Sequence, residues 1–461
     1  MDRSKQLGEE KVSKLLLKFS VPAIIGMLAN ALYNVIDRIF IGNSDGPFAG
    51  SLGIAGITVG FPLMLIMMAF MMLVGIGANS LVSIRLGEGK KDEAELILGN
   101  AFVLLIIISL GISALGLIFL DPLLRLFGAS ETILPYARAF MQIILVGTVF
   151  QGIGFGMNNF IRGEGNPLVA MLTMLLGTVL NVILCYIFIQ HLGMGIRGSA
   201  LATVIAQAAA AAWVLYYFMG GKSTLKIRRK NLGLDPQIVL KVFSLGSAPF
   251  ALQIASSIVS MVFNLSLGHY AGDIAISGMG IITSILTLIQ MPIFGVNQGV
   301  QPIIGYNYGA KKFDRVKEAL KLAIMAATAI VLIGFAVSEI FPRQLVTLFN
   351  QNEELVNFTT YGMRVFFLFL PVIGFQIISA NYFQAVGKPQ QAAFLSLSRQ
   401  LLLLVPAVLI LPLFYGINGV IIAGPVADIC SAVLTGLFLL REIRNLDQKH
   451  QTSIDAQPQF E

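Results

Sequence analysis

Long apolar blocks, interrupted by short polar or Gly/Pro-containing islands, run along almost the whole of this chain. About 20 apolar residues wound as a helix cross a bilayer core. Reading the blocks against that length predicts twelve spans, at 15–42, 53–84, 94–120, 134–157, 167–190, 197–219, 238–268, 275–306, 315–341, 356–383, 391–414 and 417–441. Several run past the minimum, as tilted or bent helices do. The pattern therefore predicts an all-α polytopic membrane protein. Its first block is expected to persist as a helix, because residues 15–41 are too long for a secretory leader and no small-residue cleavage site follows.

The second half of the pattern repeats the first. Asn159-Phe160-Ile161-Arg162-Gly163-Glu164-Gly165-Asn166-Pro167 recurs as Asn381-Tyr382-Phe383-Gln384-Ala385-Val386-Gly387-Lys388-Pro389, 222 positions on (Asn381 against Asn159), with Asn, an aromatic, Gly and Pro in register. At the same offset Gly87 and its basic loop match Gly309-Ala310-Lys311-Lys312, and Leu126-Phe127 match Leu348-Phe349. Phe19-Ser20-Val21-Pro22 has a looser echo between Phe243 and Pro249. A duplication accounts for this, with residues 1–219 as one six-helix bundle, 220–237 as a charged cytoplasmic linker, 238–441 as the second bundle and 442–461 as a tail. An even number of spans per half inserts both halves the same way up, and such pseudo-symmetric halves typically enclose a central cleft and rock about it.

Composition agrees: 56% of residues are hydrophobic and 12% charged, against roughly a quarter charged in soluble domains. The net charge of +7 is carried in short segments between apolar blocks, which reads as topology and not as a nucleic-acid surface. With the N-terminus inside, Arg3, Lys5, Lys11, Lys14, Lys18, Arg85, Lys90, Lys91, Arg162, the Lys222–Lys241 group, Lys311, Lys312, Arg315, Lys317, Lys388, Arg441, Arg444 and Lys449 are cytoplasmic, against Arg125, Arg197 and Arg343 outside. Both termini are expected in the cytoplasm. Cys185 and Cys430 lie within apolar blocks and read as small packing residues, with no disulfide or metal framework. His191, His269 and His450 sit in loops or the tail, and no phosphate-binding loop occurs, so neither hydrolytic chemistry nor direct ATP drive is indicated. The runs Gly75-Ile76-Gly77 and Gly152-Ile153-Gly154-Phe155-Gly156 read as close helix packing.

Polar groups inside the spans are where chemistry is expected. Met27, Asn30, Asn34 and Asp37 share one face of the first helix, and Asp37 is the acid well inside a span of the first half. A carboxyl group shielded from water holds a proton or a cation according to its neighbours, which is the basis of ion coupling; the alternative is a structural hydrogen-bond partner near the outer interface. Arg38 faces elsewhere and is expected to snorkel. Gln151 with Asn158, Thr178 with Asn181, and Thr203 with Gln207 form further stripes that either surround Asp37 or join helices. The second half offers Gln253, Ser257, Ser260 and Asn264, then Thr283, Thr287, Gln290, Asn297 and Gln301. Asp428 is its mid-span acid, either ion-paired with Arg399 or in contact with a substrate cation. Met157, Phe155, Met261 and Met291 are core by default, or an adaptable apolar cleft wall.

At the repeated Asn-aromatic…Gly-x-Pro element and at Gln301-Pro302-Ile303-Ile304-Gly305-Tyr306-Asn307-Tyr308-Gly309-Ala310, the chain resembles the MATE (multidrug and toxic compound extrusion) family of the MOP flippase superfamily, in its bacterial MepA-type branch. The resemblance runs from about residue 12 to 442. It implies two pseudo-symmetric six-helix bundles forming a V-shaped cleft in the bacterial cytoplasmic membrane, no enzymatic activity, no cofactor, and export of small organic cations by a monomer in antiport with protons or sodium. By position Asp37 matches the family's first-helix acid, Asn181 its fifth-helix amide and Thr203 its sixth-helix hydroxyl, with Asn34 beside them as coupling residues. Asn30, Gln151, Asn158, Gln207, Gln253, Asn264, Gln290, Met291 and Asp428 then line the substrate cleft. The family's Asn-x-x-Leu-Asp-Pro reads here Asn181-Val182-Ile183-Leu184-Cys185-Tyr186. One carboxylate fewer weakens a sodium site, since sodium favours several hard oxygens, and points to protons. The rivals are a flippase for lipid-linked oligosaccharides, which needs several cationic residues for a pyrophosphate, and a polytopic membrane enzyme, which needs acidic or His clusters at the surface.

Overall fold

A computed structural model describes residues 9–44, 50–87, 90–164, 166–220, 223 and 225–455. Arg3, Lys5, Gly165 and Lys222 lie outside these, as do the side chains of Asn30, Asn34, Arg162, Lys449 and His450. The described chain is helical throughout its spans: α1 (Val12–Gly42), α2 (Gly50–Gly87), α3 (Lys91–Ile118), α4 (Leu134–Val146), α5 (Met157–Gly163), α6 (Pro167–Cys185), α7 (Gly195–Met219), α8 (Pro236–Gly309), α9 (Phe313–Ile340), α10 (Glu353–Phe366), α11 (Leu370–Ala385), α12 (Pro389–Leu397), α13 (Val405–Tyr415) and α14 (Ile417–Asp455). Pro167, Pro389 and Pro236 open their helices, where a missing N–H costs nothing.

Nine stretches among the described residues are long and apolar enough to cross a bilayer, and two bent pairs raise the number to 11. One of the nine, Pro249–Tyr308, has 60 residues, about three bilayer thicknesses as a straight helix. It breaks at Gly272, whose φ of 69° is open to glycine, so it supplies two spans and completes the expected twelve. The bent pairs are Leu134–Val146 with Thr148–Ile161, at 57°, and Glu353–Phe366 with Leu370–Ala385, at 53°. These are the fourth predicted span of each half. Large apolar side chains such as Leu240, Leu413, Phe414 and Ile118 stand exposed, as a lipid-facing surface requires.

By their internal contacts the residues gather into two units, one of Leu32–Ile281 with Val346–Thr359, the other of Met1–Ala31, Ile282–Leu345 and Thr360–Glu461. In the first, α2 runs main chain against main chain with the start of α8: a Cβ on Gly77 would lie 2.2 Å from the Val242 carbonyl oxygen, and one on Gly246 1.9 Å from that of Leu73. Pro62 inside α2 has no N–H for the Thr58 carbonyl four residues earlier. Asn264 Nδ2 donates to that carbonyl at 3.2 Å, and Ser257 and Ser277 donate to the Pro62 and Ser51 carbonyls at 2.8 and 2.7 Å. The core beneath is built from Met71, Val74, Leu98, Leu105, Phe160 and Phe218.

The charged linker is a bound strap. Ser223 Oγ donates to Glu164 at 2.7 Å, Leu225 N to the same carboxylate at 3.2 Å, and Asp235 N to Asn100 Oδ1 at 2.7 Å. Arg228 pairs with the buried Glu95 at 2.8 Å. In the second unit α9 packs on α11, where a Cβ on Gly374 would meet the Ala327 main chain at 3.0 Å, and Gln376 donates to Ser431 across to α14 at 3.1 Å.

Candidate ion-coupling site

Asp37 lies five residues before the end of α1 and is 5% exposed. Two helices bring polar groups to it. α6 carries Asn181 and, one turn on, Cys185 at its last residue, after which the chain relaxes into a π-helical turn, Tyr186–His191. Such turns are over-represented at functional sites. α7 carries Ser199 and Thr203 one turn apart, and Gly198 lets it approach the π turn so closely that a Cβ there would sit 3.0 Å from Phe188. Asn181, Cys185, Ser199 and Thr203 are all fully buried.

The carboxylate accepts from Cys185 Sγ at 2.8 Å on Oδ1 and from Thr203 Oγ1 at 3.4 Å on Oδ2. Asn181 Nδ2 donates to Thr203 Oγ1 at 3.3 Å, and the Cys185 thiol lies 3.8 Å from Asn181 Oδ1. Ser199 stands beside the same carboxylate. Asp37, Asn181 and Thr203 are thus brought together, and the donors named here are neutral. Among the described residues no three His, Cys, Asp or Glu side chains come together as a metal site.

Three expectations are corrected. Cys185 is no mere packing residue, since its thiol donates to Asp37 from the position where the family pattern has a carboxylate. Cys430 is exposed and not packed in a core. Arg38 does not snorkel: it is 7% exposed and its Nη1 donates to the Gly280 carbonyl oxygen. Glycine at 280 is needed there, because a Cβ would meet Thr58 Oγ1 at 2.2 Å. Consecutive residues of α1 therefore serve two different neighbours.

The remaining candidates are scattered. Asn158 is 3% exposed and its Nδ2 donates to the Ala170 carbonyl at 3.3 Å, joining α5 to α6. Gln151 and Gln207 are half-buried, and Gln151 Oε1 has no partner. Gln253 lies 3.7 Å from the Met68 sulfur, while Gln290 and Met291 are half-buried in α8. Asp428 is held by Arg399, whose Nε and Nη2 both donate to its Oδ1 at 2.9 and 2.7 Å. Arg399 is presented by another π-helical turn, Ser398–Leu404, the third among the described residues after Gly152–Gly156 and Tyr186–His191.

Comparison with known proteins places this geometry. The MatE family model matches residues 22–187 and 249–409, two stretches that begin in the first helix of each half. The multidrug export protein MepA of Staphylococcus haemolyticus is 27% identical over 437 residues, covering 95% of each chain. MepA of Staphylococcus aureus is 27% identical over 438 residues, covering 95% of this chain and 96% of its own. Among solved structures, the MATE multidrug transporter DinF-BH is 39% identical with a TM-score of 0.79, covering 97% of this chain and 99% of that one. An inward-facing MATE transporter of the MOP superfamily, at 24% identity, shares the fold with a TM-score of 0.86, over 95% of this chain and 99% of its own. A multi-pass, all-helical chain with the family model matched along most of its length, this protein belongs to the MATE family of multidrug transporters.

Proposed function

We propose that this chain is a secondary active efflux transporter that exports hydrophobic organic cations in antiport with protons, and that Asp37 is the group that carries the proton. One observation carries the reading: a buried carboxyl group whose hydrogen-bond partners are a thiol and a hydroxyl. A carboxylate compensated by a cation would stay charged whichever side it faced, whereas one held by neutral donors changes charge with its access to water. Protonation from the outside removes a charge from the Cys185–Asn181–Thr203 network, loosens α1 against α6 and α7, and lets drug go. Loss of the proton to the inside restores the network. Asn34 and Asn30 extend this face of α1 by spacing, and Gln151, Gln207 and Gln253 supply polar contacts for cargo beside apolar ones such as Met291.

The duplication supports bundles at 1–219 and 238–441, both termini in the cytoplasm and a monomer as the working unit in a bacterial cytoplasmic membrane. Sodium, the alternative ion, is disfavoured by a thiol where a hard oxygen would serve. A lipid-linked oligosaccharide flippase is disfavoured because Arg38 and Arg399 are already engaged with a carbonyl and a carboxylate. In inside-out vesicles, wild-type protein should move dye only while a proton gradient stands, and Asp37→Asn should not move it. Gradient-driven efflux undiminished in Asp37→Asn, or efflux that follows sodium alone, defeats the proposal.

A further inference from the structure

The duplication placed the same corner in the molecule twice, where the helix after the Gly-x-Pro element meets the last helix of its half. In the first half the corner is a cleft of about 390 Å³ lined by Asn166, Val169, Leu172, Trp213, Tyr216 and Gly220. In the second it is a cleft of about 190 Å³ lined by Phe383, Lys388, Gln391, Phe438, Arg441 and Glu442, with Asn445 beside them. Four lining positions correspond at the offset of 222: Lys388 to Asn166, Gln391 to Val169, Phe438 to Tyr216 and Glu442 to Gly220. In the first corner Asn166 Nδ2 donates to the Tyr217 hydroxyl at 2.6 Å, and that hydroxyl stands against the Glu164 carboxylate. There the carboxylate accepts from Ser223 Oγ and from the Leu225 N–H.

The second corner carries Lys388 bonded to Glu442 Oε2 at 2.5 Å, with Glu442 4% exposed. Burying such a pair costs more in desolvation than a neutral contact. The other carboxylate oxygen, Glu442 Oε1, and the side-chain oxygen of Gln391 are buried without partners. Arg441 is exposed at the rim. Below the charges the wall is aromatic: Phe438 lies 5.8 Å from Phe394 and 6.4 Å from Phe383, and Phe394 is 46% exposed. The corner stands at the ends of the Gln390–Tyr415 and Ile417–Leu446 spans, hence at the membrane–water boundary.

We propose that this corner is a binding site for a zwitterionic aminophospholipid, of the phosphatidylethanolamine type. A buried carboxylate oxygen lacking a donor matches a primary ammonium, which offers three N–H groups. The guanidinium of Arg441 and the amide of Asn445 match the phosphate one ethylene unit away. The exposed ring of Phe394 offers a bed for the start of an acyl chain. A purely anionic headgroup would place its charge beside Glu442, and a quaternary choline headgroup has no N–H to give.

The site is independent of the efflux reading and is tested without transport. Full-length protein in detergent is mixed with phosphatidylethanolamine, phosphatidylcholine and phosphatidylglycerol in equal amounts, and retained lipid is counted by native mass spectrometry. Wild type should retain phosphatidylethanolamine over the other two by about tenfold, the worth of one charge-assisted hydrogen bond. Glu442→Gln should lose that preference. Lys388→Asn with Glu442→Gln, which moves the corner toward its twin, should lose it as well while melting no earlier than Glu442→Gln alone. Equal retention of the three lipids, a preference for phosphatidylglycerol, or an ethanolamine preference that survives in folded Glu442→Gln protein overturns the proposal.

Discussion

Two buried carboxylates, one in each half, sit in opposite electrostatic settings. Asp37 and Asp428 are 5% and 6% exposed, and each belongs to a helix with polar neighbours. Asp428 takes two N–H groups of Arg399 on a single oxygen. Asp37 takes a thiol on one oxygen and a hydroxyl on the other, while the guanidinium next to it on α1 donates to the Gly280 carbonyl and acts on Asp37 through its charge. Burial alone therefore does not mark a working acid. What distinguishes the two is whether the hydrogen-bond donors on the carboxylate carry a full charge, as those of Arg399 do and those of Cys185 and Thr203 do not.

The sharpest way to break this comparison is to neutralise each acid in turn. Asp37→Asn should bring proton-driven dye efflux down to that of empty vesicles, whereas Asp428→Asn should keep efflux per folded molecule; loss in both would erase the distinction. Next in size is stability. Asp428→Leu leaves the half-buried Arg399 unmatched and should cost about 1–3 kcal/mol, while Asp428→Leu with Arg399→Met should recover most of it. Unfolding followed by tryptophan fluorescence or calorimetry in one detergent reads this double-mutant cycle.

A smaller effect sharpens the ion specificity. Cys185→Asp sets a second carboxylate against Asp37 among the oxygens of Asn181, Ser199 and Thr203, so added sodium should raise its melting temperature and leave the wild type unmoved. The smallest contrast lies between the two thiols. Cys185→Ala removes a donor to a buried carboxylate and should cost about 1–3 kcal/mol, with Cys185→Ser restoring much of it. Cys430→Ala, on the exposed surface, should stay within about 0.5 kcal/mol of wild type.

The spans were legible in the sequence because lipid imposes a length and a composition that few other structures need, and even the break at Gly272 fell in the gap left between 268 and 275. Helix spacing put Asp37, Asn181 and Thr203 on polar stripes, and it was the family resemblance that singled out these three as one site. What spacing could not supply was which faces touch. Cys185 looks apolar in a row of Val, Ile and Leu, and its role depends on α1, some 150 positions earlier in the chain. Arg38 is buried because a carbonyl 242 positions away receives it, and no local pattern encodes that. The π turns after Cys185 and at Arg399 are likewise products of packing, since their residues have ordinary helical composition.

The contact at Gly77 and Gly246 has a mechanical consequence. Where peptide planes rest directly on one another, no rotamers lie between them to cushion a displacement, and any side chain larger than hydrogen would wedge the two helices apart. The spacing of the two helices is thus set by backbone alone, and a methyl group at either glycine would reset it. Whatever rocking this part of the protein performs is steered by the position of its smallest residues.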